Sequence, residues 1–133
     1  MADTLSGWVK KHTEFQSGEL AVYQETITRG TTVSDSLGTE IDFLPPGVDV
    51  LFGIKPSAAL STGADLAIYA CPESGGTYGV IKDDLISITT GTAYAYGLFD
   101  ISSTGEMPYY KCFIDGDATN IKNIEITATF LIP

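Results

Sequence analysis

The chain has 133 residues, 17 acidic and seven basic, and a formal charge of −10 at pH 7. This length suits a single domain, and with 44% hydrophobic residues the chain is too apolar to be disordered. Arg29 is the only Arg, and no basic stripe is present. We therefore expect no binding to nucleic acid or to an anionic membrane, because both depend on Lys and Arg that neutralise phosphates.

Residues 1–18 are predicted to form an N-terminal appendage. Leu5, Trp8, His12 and Phe15 recur at three- and four-residue spacing. This spacing predicts a short amphipathic helix, although Gly7 weakens it, and an extended arm is the alternative. The segment lacks the apolar core of a signal peptide, and no run in the chain is long enough to span a bilayer.

Residues 19–133 are predicted to form one β-domain. Runs rich in Thr, Val, Ile and Tyr alternate there with Gly, Pro, Ser and Asp clusters, a texture typical of short strands. Strands are expected at 20–28, 40–44, 48–55, 66–71, 85–90, 93–101, 109–115 and 123–132. The run at 66–71 is apolar on both faces, which indicates a central strand. This spacing predicts a jelly roll or β-sandwich of about eight short strands.

The last predicted strand has the clearest pattern. Its even-numbered positions are apolar and its odd-numbered positions are mostly polar, so one face should be buried and the other wet. The apolar positions are Ile124, Ile126, Ala128, Phe130 and Ile132. Leu131 interrupts the polar face, and we expect it to meet a partner.

The residues that usually carry catalysis are scarce. A Ser-His-Asp triad would have to use His12, the only His, and no G-x-S-x-G motif presents a nucleophile. Asp83 and Asp84 are expected in a solvated turn before Leu85, pointing apart, rather than as a glycosidase pair. We therefore predict that the chain is not an enzyme and has no catalytic residue or cofactor.

Metal sites are not expected either. A single His excludes multi-His coordination, and two cysteines cannot supply a four-ligand zinc site. The segment DGDATN at 115–120 begins like a calcium loop, but the EF-hand pattern requires Gly and Glu where this chain has Asn120 and Ile126. A different calcium site between strand loops remains an alternative. Cys71 and Cys112 are expected as buried free thiols, with a disulfide between adjacent strands as the alternative.

The second half of the chain is rich in tyrosine. The residues are Tyr69, Tyr78, Tyr94, Tyr96, Tyr109 and Tyr110. Such residues can form a sugar-binding platform, but in a β-domain of this size we expect them mainly as core residues and cross-strand pairs. Tyrosine is also enriched at protein interfaces.

Six segments from Gly63 onward carry a resemblance. They are DLAIYA at 65–70, SGGTY at 74–78, LISIT at 85–89, FDIS at 99–102, YYKCFI at 109–114 and NIEITATF at 123–130. Together they resemble a small β-domain of tailed-bacteriophage virions. The chain is similar to phage head decoration (cement) proteins and to some tail or spike accessory modules. These segments define strands and turns rather than a site.

The resemblance implies a homotrimer on the outer capsid surface of a virion, present in the host cytoplasm before assembly. It also implies a terminal arm that contacts the major capsid protein. The partner-binding residues would be Leu5, Trp8, His12, Phe15 and Leu131. Trp8 and Phe15 would supply large apolar area to the partner, or alternatively would cover the end of their own β-domain. Leu51 and Leu131 would lie in the interface between copies.

The expected function is therefore non-enzymatic decoration and stabilisation of a phage capsid through protein–protein contacts. The alternative is a carbohydrate-binding or receptor-binding β-module of a phage tail or spike, which would use the tyrosines and a calcium ion. A small enzyme that relies on carboxylates is the third hypothesis.

Overall fold

The computed structural model describes residues 4–11, 18–28, 35–57, 64–88, 94–101, 107–116 and 123–133. The described residues contain ten strands: β1 (Thr4–Leu5), β2 (Val9–Lys10), β3 (Leu20–Thr28), β4 (Asp35–Leu37), β5 (Val50–Pro56), β6 (Ala64–Cys71), β7 (Gly79–Ile88), β8 (Ala95–Phe99), β9 (Tyr109–Gly116) and β10 (Asn123–Leu131). Within these ranges, no helix is long and apolar enough to cross a membrane.

The strands form two antiparallel sheets. The first has six strands in the order β1-β3-β10-β5-β8, with β2 also paired to β3, and the second has four in the order β4-β9-β6-β7. Their inward faces share one apolar core, whose largest fully buried side chains include Phe52, Phe99 and Tyr110. The predicted all-β architecture, a jelly-roll-like sandwich, is confirmed.

Strand β10 has the buried face that its alternating pattern predicted. Its residues alternate between buried and half-buried along its length, with Ile124, Ile126, Ala128 and Phe130 facing the core. It lies between β3 and β5, so its backbone is paired on both sides. Each of the larger buried side chains stabilises the fold by about 1.5–3 kcal/mol through removal of apolar area from water. Strand β6 is likewise central, between β9 and β7, as its two apolar faces predicted.

Two local predictions are wrong. Residues 40–44 do not form a strand, since only Ile41 bridges to Tyr110 before the turn at Pro46-Gly47. Asp83 and Asp84 are not in a turn but inside β7. The pairing passes from Leu66↔Ile86 to Ile68↔Lys82. Two steps along β6 therefore correspond to four along β7, and the extra residues form a bulge in β7. Asp84 takes a positive φ of 49° there, a conformation that Asp tolerates better than most residues.

Residues 4–11 form an extended arm along the edge of β3. Leu5 pairs with Ile27 and Val9 with Gln24, so four steps on the arm oppose three on β3. Gly7, with φ of 78°, supplies the left-handed conformation that this bulge requires. The extra residue reverses the alternation, which leaves Trp8 packed against the core and Val9 exposed on the opposite side. His12 and Phe15 lie outside the described residues.

Candidate functional site

The side of the six-stranded sheet that faces away from the core, called here the outer face, gathers exposed apolar side chains. Six large ones lie there, from 38% to 59% exposed: Val9, Leu20, Leu51, Tyr96, Leu98 and Leu131. Leu20 is the cross-strand partner of Leu131, and Leu51 is that of Leu98. Contiguous apolar surface of this kind marks interaction sites in soluble proteins.

The strand register gives the dimensions of the outer face. Five strands lie side by side from β2 to β8, at a spacing of about 4.8 Å, so the face is about 19 Å wide. From Leu20 to Thr26 along β3 the chain rises about 20 Å at about 3.4 Å per residue. The plane therefore measures roughly 400 Å², and it holds polar as well as apolar side chains.

The outer face carries few charges. Among its described residues Lys55 and Glu125 are charged and are cross-strand partners of opposite sign, and Lys11 of the arm adds one positive charge. This face therefore lacks the acidic excess of the whole chain, which has a formal charge of −10. Depletion of charged residues is the compositional mark of the central part of a protein interface.

A groove of about 270 Å³ crosses the outer face. It is lined by Lys11, Val22, Gln24, Tyr94, Tyr96, Thr127 and Thr129. The ring of Tyr96 lies over Gly53, where an added Cβ would stand 2.7 Å from the ring and 2.8 Å from the hydroxyl oxygen of Thr127. Glycine at this position allows the ring to rest on the backbone of β5 and to form one wall of the groove.

Tyr94 holds the end of the groove in place. Its hydroxyl donates a hydrogen bond to Oε2 of Glu125 at 2.8 Å, and its ring stacks on Tyr96 with centroids 5.6 Å apart. Lys55 Nζ lies 5.6 Å from the centroid of the Tyr94 ring. Burial, followed by the hydrogen bond to Glu125, raises the pKa of Tyr94 to about 12, so the phenol stays neutral at physiological pH. Neutral rings beside hydroxyl and amide groups suit binding rather than acid–base chemistry.

Trp8 contacts its own domain. Its indole Nε1 donates a hydrogen bond to the Thr39 carbonyl at 3.0 Å, and its ring meets Phe43 edge-on with centroids 5.8 Å apart. Phe43 in turn stacks on Tyr23 at 3.8 Å. These contacts favour the alternative in which Trp8 covers its own β-domain. The rings of Trp8, Tyr23 and Phe43 also line a second groove, of about 400 Å³, between the arm and residues 39–43.

The five residues predicted to bind a partner do not form one described cluster. Leu131 lies on the outer face, where it is 52% exposed. Leu5 is 42% exposed on the arm and pairs with Ile27 at the edge of the sheet. Trp8 is half-buried, and the other two residues lie outside the described ranges.

The six tyrosines in the second half do not lie together. Tyr94 and Tyr96 belong to the outer face, and Tyr110 is buried in the core with its ring against Phe99. Tyr69 stacks on Phe113 of the neighbouring strand in the four-stranded sheet. Tyr78 donates a hydrogen bond to Glu40, and Tyr109 pairs with Cys71. They therefore form no single platform, and the expected core and cross-strand roles are confirmed for Tyr110 and Tyr69.

Glu25 is a buried acidic residue that the sequence did not predict. It lies on the buried side of β3 and is fully buried. Its Oε1 accepts a hydrogen bond from the Thr39 N–H at 3.0 Å, while Oε2 has no hydrogen-bond partner among the residues that the structure describes. Gly38 makes room for it, because an added Cβ would stand 2.7 Å from Oε1. The alternation of β3 does not distinguish which side faces the core, since both sides mix polar and apolar residues.

The cysteines are free and buried, as predicted. Cys71 lies opposite Tyr109 and Cys112 opposite Ile68, so the two thiols are not cross-strand partners. Burial, with a smaller contribution from Glu25, raises the pKa of the Cys112 thiol well above its ordinary value, and such a thiol is a poor nucleophile. Among the described residues, no group of three or more His, Cys, Asp or Glu side chains is placed to hold a metal ion.

Comparisons with known proteins add little. No protein-family model matches the sequence, and no curated protein matches it. One similar solved structure is a family 11 carbohydrate-binding module from Clostridium thermocellum in complex with a β-1,3-1,4-mixed-linked tetrasaccharide, at 13% identity and a TM-score of 0.45, covering 99% of this chain and 85% of that one. A solution structure of CtCBM11 gives 14% identity and a TM-score of 0.35, covering 100% and 85%. Similarity this distant carries no argument about function.

Proposed function

We propose that this chain is a non-enzymatic structural protein that decorates and stabilises a phage capsid through protein–protein contacts. The observation that supports a contact protein is the outer face, where six exposed apolar side chains share one surface with little charge. The resemblance to phage decoration proteins supplies the partner, the major capsid protein. The acidic remainder of the chain suits the outside of a particle, because it stays soluble and avoids nucleic acid.

The outer face is large enough for this role. The roughly 400 Å² plane includes polar side chains, so its burial gives less than about 10 kcal/mol before costs, at about 25 cal/mol per Å² of apolar area. Association costs about 4–15 kcal/mol in lost freedom of motion, so one copy alone binds weakly or moderately. Many copies on one particle, linked to each other, bind more tightly through avidity.

Co-sedimentation of the purified full chain with phage particles tests the proposal. Leu20→Glu places a charge on the outer face at a position 59% exposed, and it should release the protein from the particle. Val80→Glu is the matched control, because Val80 is 53% exposed but lies on the four-stranded sheet. Failure of the unaltered chain to sediment with any particle, or equal release by both variants, would contradict the proposal.

A second candidate, binding of a carbohydrate, is favoured by one observation. The Tyr96 ring rests on Gly53 beside Gln24, Thr127 and Thr129, which combines an aromatic surface with hydrogen-bonding groups. The aliphatic side chains around this groove favour a protein partner instead, since leucines offer a sugar no hydrogen bond.

A glycan array separates the two candidates. Carbohydrate binding predicts a signal that Tyr96→Ala abolishes and Tyr69→Ala leaves unchanged, because Tyr69 lies on the other sheet. Capsid decoration predicts no signal from either variant or from the unaltered chain.

A further inference from the structure

We infer that the outer face binds the same face of a second copy of this chain, giving a two-fold symmetric dimer. The inference rests on the proposed function, in which this face is the protein-contact surface, and it names the partner that covers this face in solution, when no particle is present. In such an isologous contact each residue of one copy meets the equivalent set of residues on its partner.

Charge favours a second copy as the occupant. The chain has ten more acidic than basic residues, so two copies that meet through most surfaces bring like charges together. On the four-stranded sheet, for example, Asp83 and Asp84 are both exposed. The outer face differs, because its described residues carry only Lys11, Lys55 and Glu125, two positive charges and one negative. Two outer faces therefore bring together much less like charge than two acidic surfaces would.

The shape of the outer face also suits sheet-on-sheet packing. Tyr96 rests on Gly53, so the ring adds little height at the middle of β5. The leucine pairs stand on either side, Leu20 with Leu131 and Leu51 with Leu98. Two sheets pack face to face at about 10 Å when side chains of this size interdigitate.

The available area sets the strength of the contact. A plane of roughly 400 Å² per copy, increased by side-chain relief, buries about 1,000 Å² in total, at the low end of specific interfaces. We therefore expect a dissociation constant on the order of micromolar, and a dimer that dissociates on dilution.

Sedimentation equilibrium of the purified full chain, from about 0.05 to about 50 μM, tests the inference over a range that extends to both sides of the expected micromolar affinity. The average mass should rise from 14.1 kDa towards twice that value. Leu98→Glu and, independently, Leu131→Glu should each weaken the dimer at least tenfold. Val80→Glu makes the same charge change on the other sheet and should leave it unchanged. Circular dichroism checks that each variant is folded. If either Leu98→Glu or Leu131→Glu is unfolded, the other one provides the test.

Each outcome decides the matter. A chain that remains at 14.1 kDa throughout, or a Val80→Glu variant that dissociates as much as Leu98→Glu, overturns the inference. A trimer that is insensitive to both outer-face variants also overturns it. The capsid proposal is judged separately by co-sedimentation with particles. Particle binding without self-association removes only the inference, and self-association without particle binding removes only the capsid proposal.

Discussion

Replacing Trp8 tests whether the N-terminal arm belongs to the folded domain. Trp8→Ala removes the hydrogen bond to the Thr39 carbonyl and the edge contact with Phe43. The hydrogen bond contributes about 0.5–1.5 kcal/mol and the aromatic pair about 0.5–1.5 kcal/mol. With the packing of a half-buried indole included, we expect a loss of about 2–3 kcal/mol in the free energy of unfolding.

The assay is urea denaturation followed by far-ultraviolet circular dichroism, since the variant lacks the only Trp of the chain. Trp8→Phe retains a ring against Phe43 but loses the hydrogen bond, so about 1 kcal/mol should be lost. Val9→Ala is the control on the same arm, because Val9 is 56% exposed on the outer face. It should change stability by no more than about 0.5 kcal/mol.

The reasoning is refuted if Trp8→Ala and Val9→Ala have the same small effect. In that case the arm would not be docked on its own domain, and Trp8 would be free to contact a partner. Deletion of residues 1–15 is expected to leave the β-domain folded but less stable, by at least the loss seen in Trp8→Ala, and to weaken attachment to the particle.

Three further predictions concern buried or fixed groups. Glu40 accepts hydrogen bonds from Tyr78, Gly75 and Ser74, which hold its pKa in the folded protein below the usual 4.5. The ionised carboxylate therefore stabilises the fold fully above pH 4.5, and this stabilisation is lost as the pH falls through the pKa of Glu40 in the folded protein. The melting temperature of Glu40→Gln should therefore lie below that of the unaltered chain at pH 7 and converge on it in acid; a constant gap would contradict this. Gly38→Ala should cost about 1–3 kcal/mol, because its Cβ would stand 2.7 Å from Oε1 of Glu25, and a double-mutant cycle with Glu25→Ala should show coupling. Cys112 should resist alkylation at pH 8 until the protein unfolds; rapid labelling of the folded chain would show that the thiol is accessible.

The sequence predicted the strands whose side-chain environment repeats regularly. The alternation of 123–132 identified a strand and its buried face, and the apolar run of 66–71 identified a central strand, because burial on one side or both determines which positions are apolar. The bulge at Asp83 and Asp84 left no such trace, since two exposed acids suit a turn and a bulge equally. The arm was ambiguous between helix and strand, because the bulge at Gly7 disturbs its period of two.

The candidate site was less accessible to sequence reasoning than the fold. Leu51 and Leu131 were recognised as apolar residues on otherwise polar strand faces, and both lie on the outer face. They share this face with Leu20 and Leu98 because of the order of the strands in the sheet, and that order cannot be predicted from one sequence. Glu25 was missed for a related reason: Gly38 and Thr39, which accommodate it, are distant in the chain from β3.

Capsid decoration requires the outer face of the six-stranded sheet to be a protein-contact surface on a phage particle. Electron cryo-microscopy of particles carrying the full chain would show that surface. We expect density for the β-sandwich on the outer capsid surface, with Leu20, Leu98 and Leu131 covered by capsid protein or by a second copy. A β-sandwich attached through its other surfaces, with these three leucines in solvent, would contradict it.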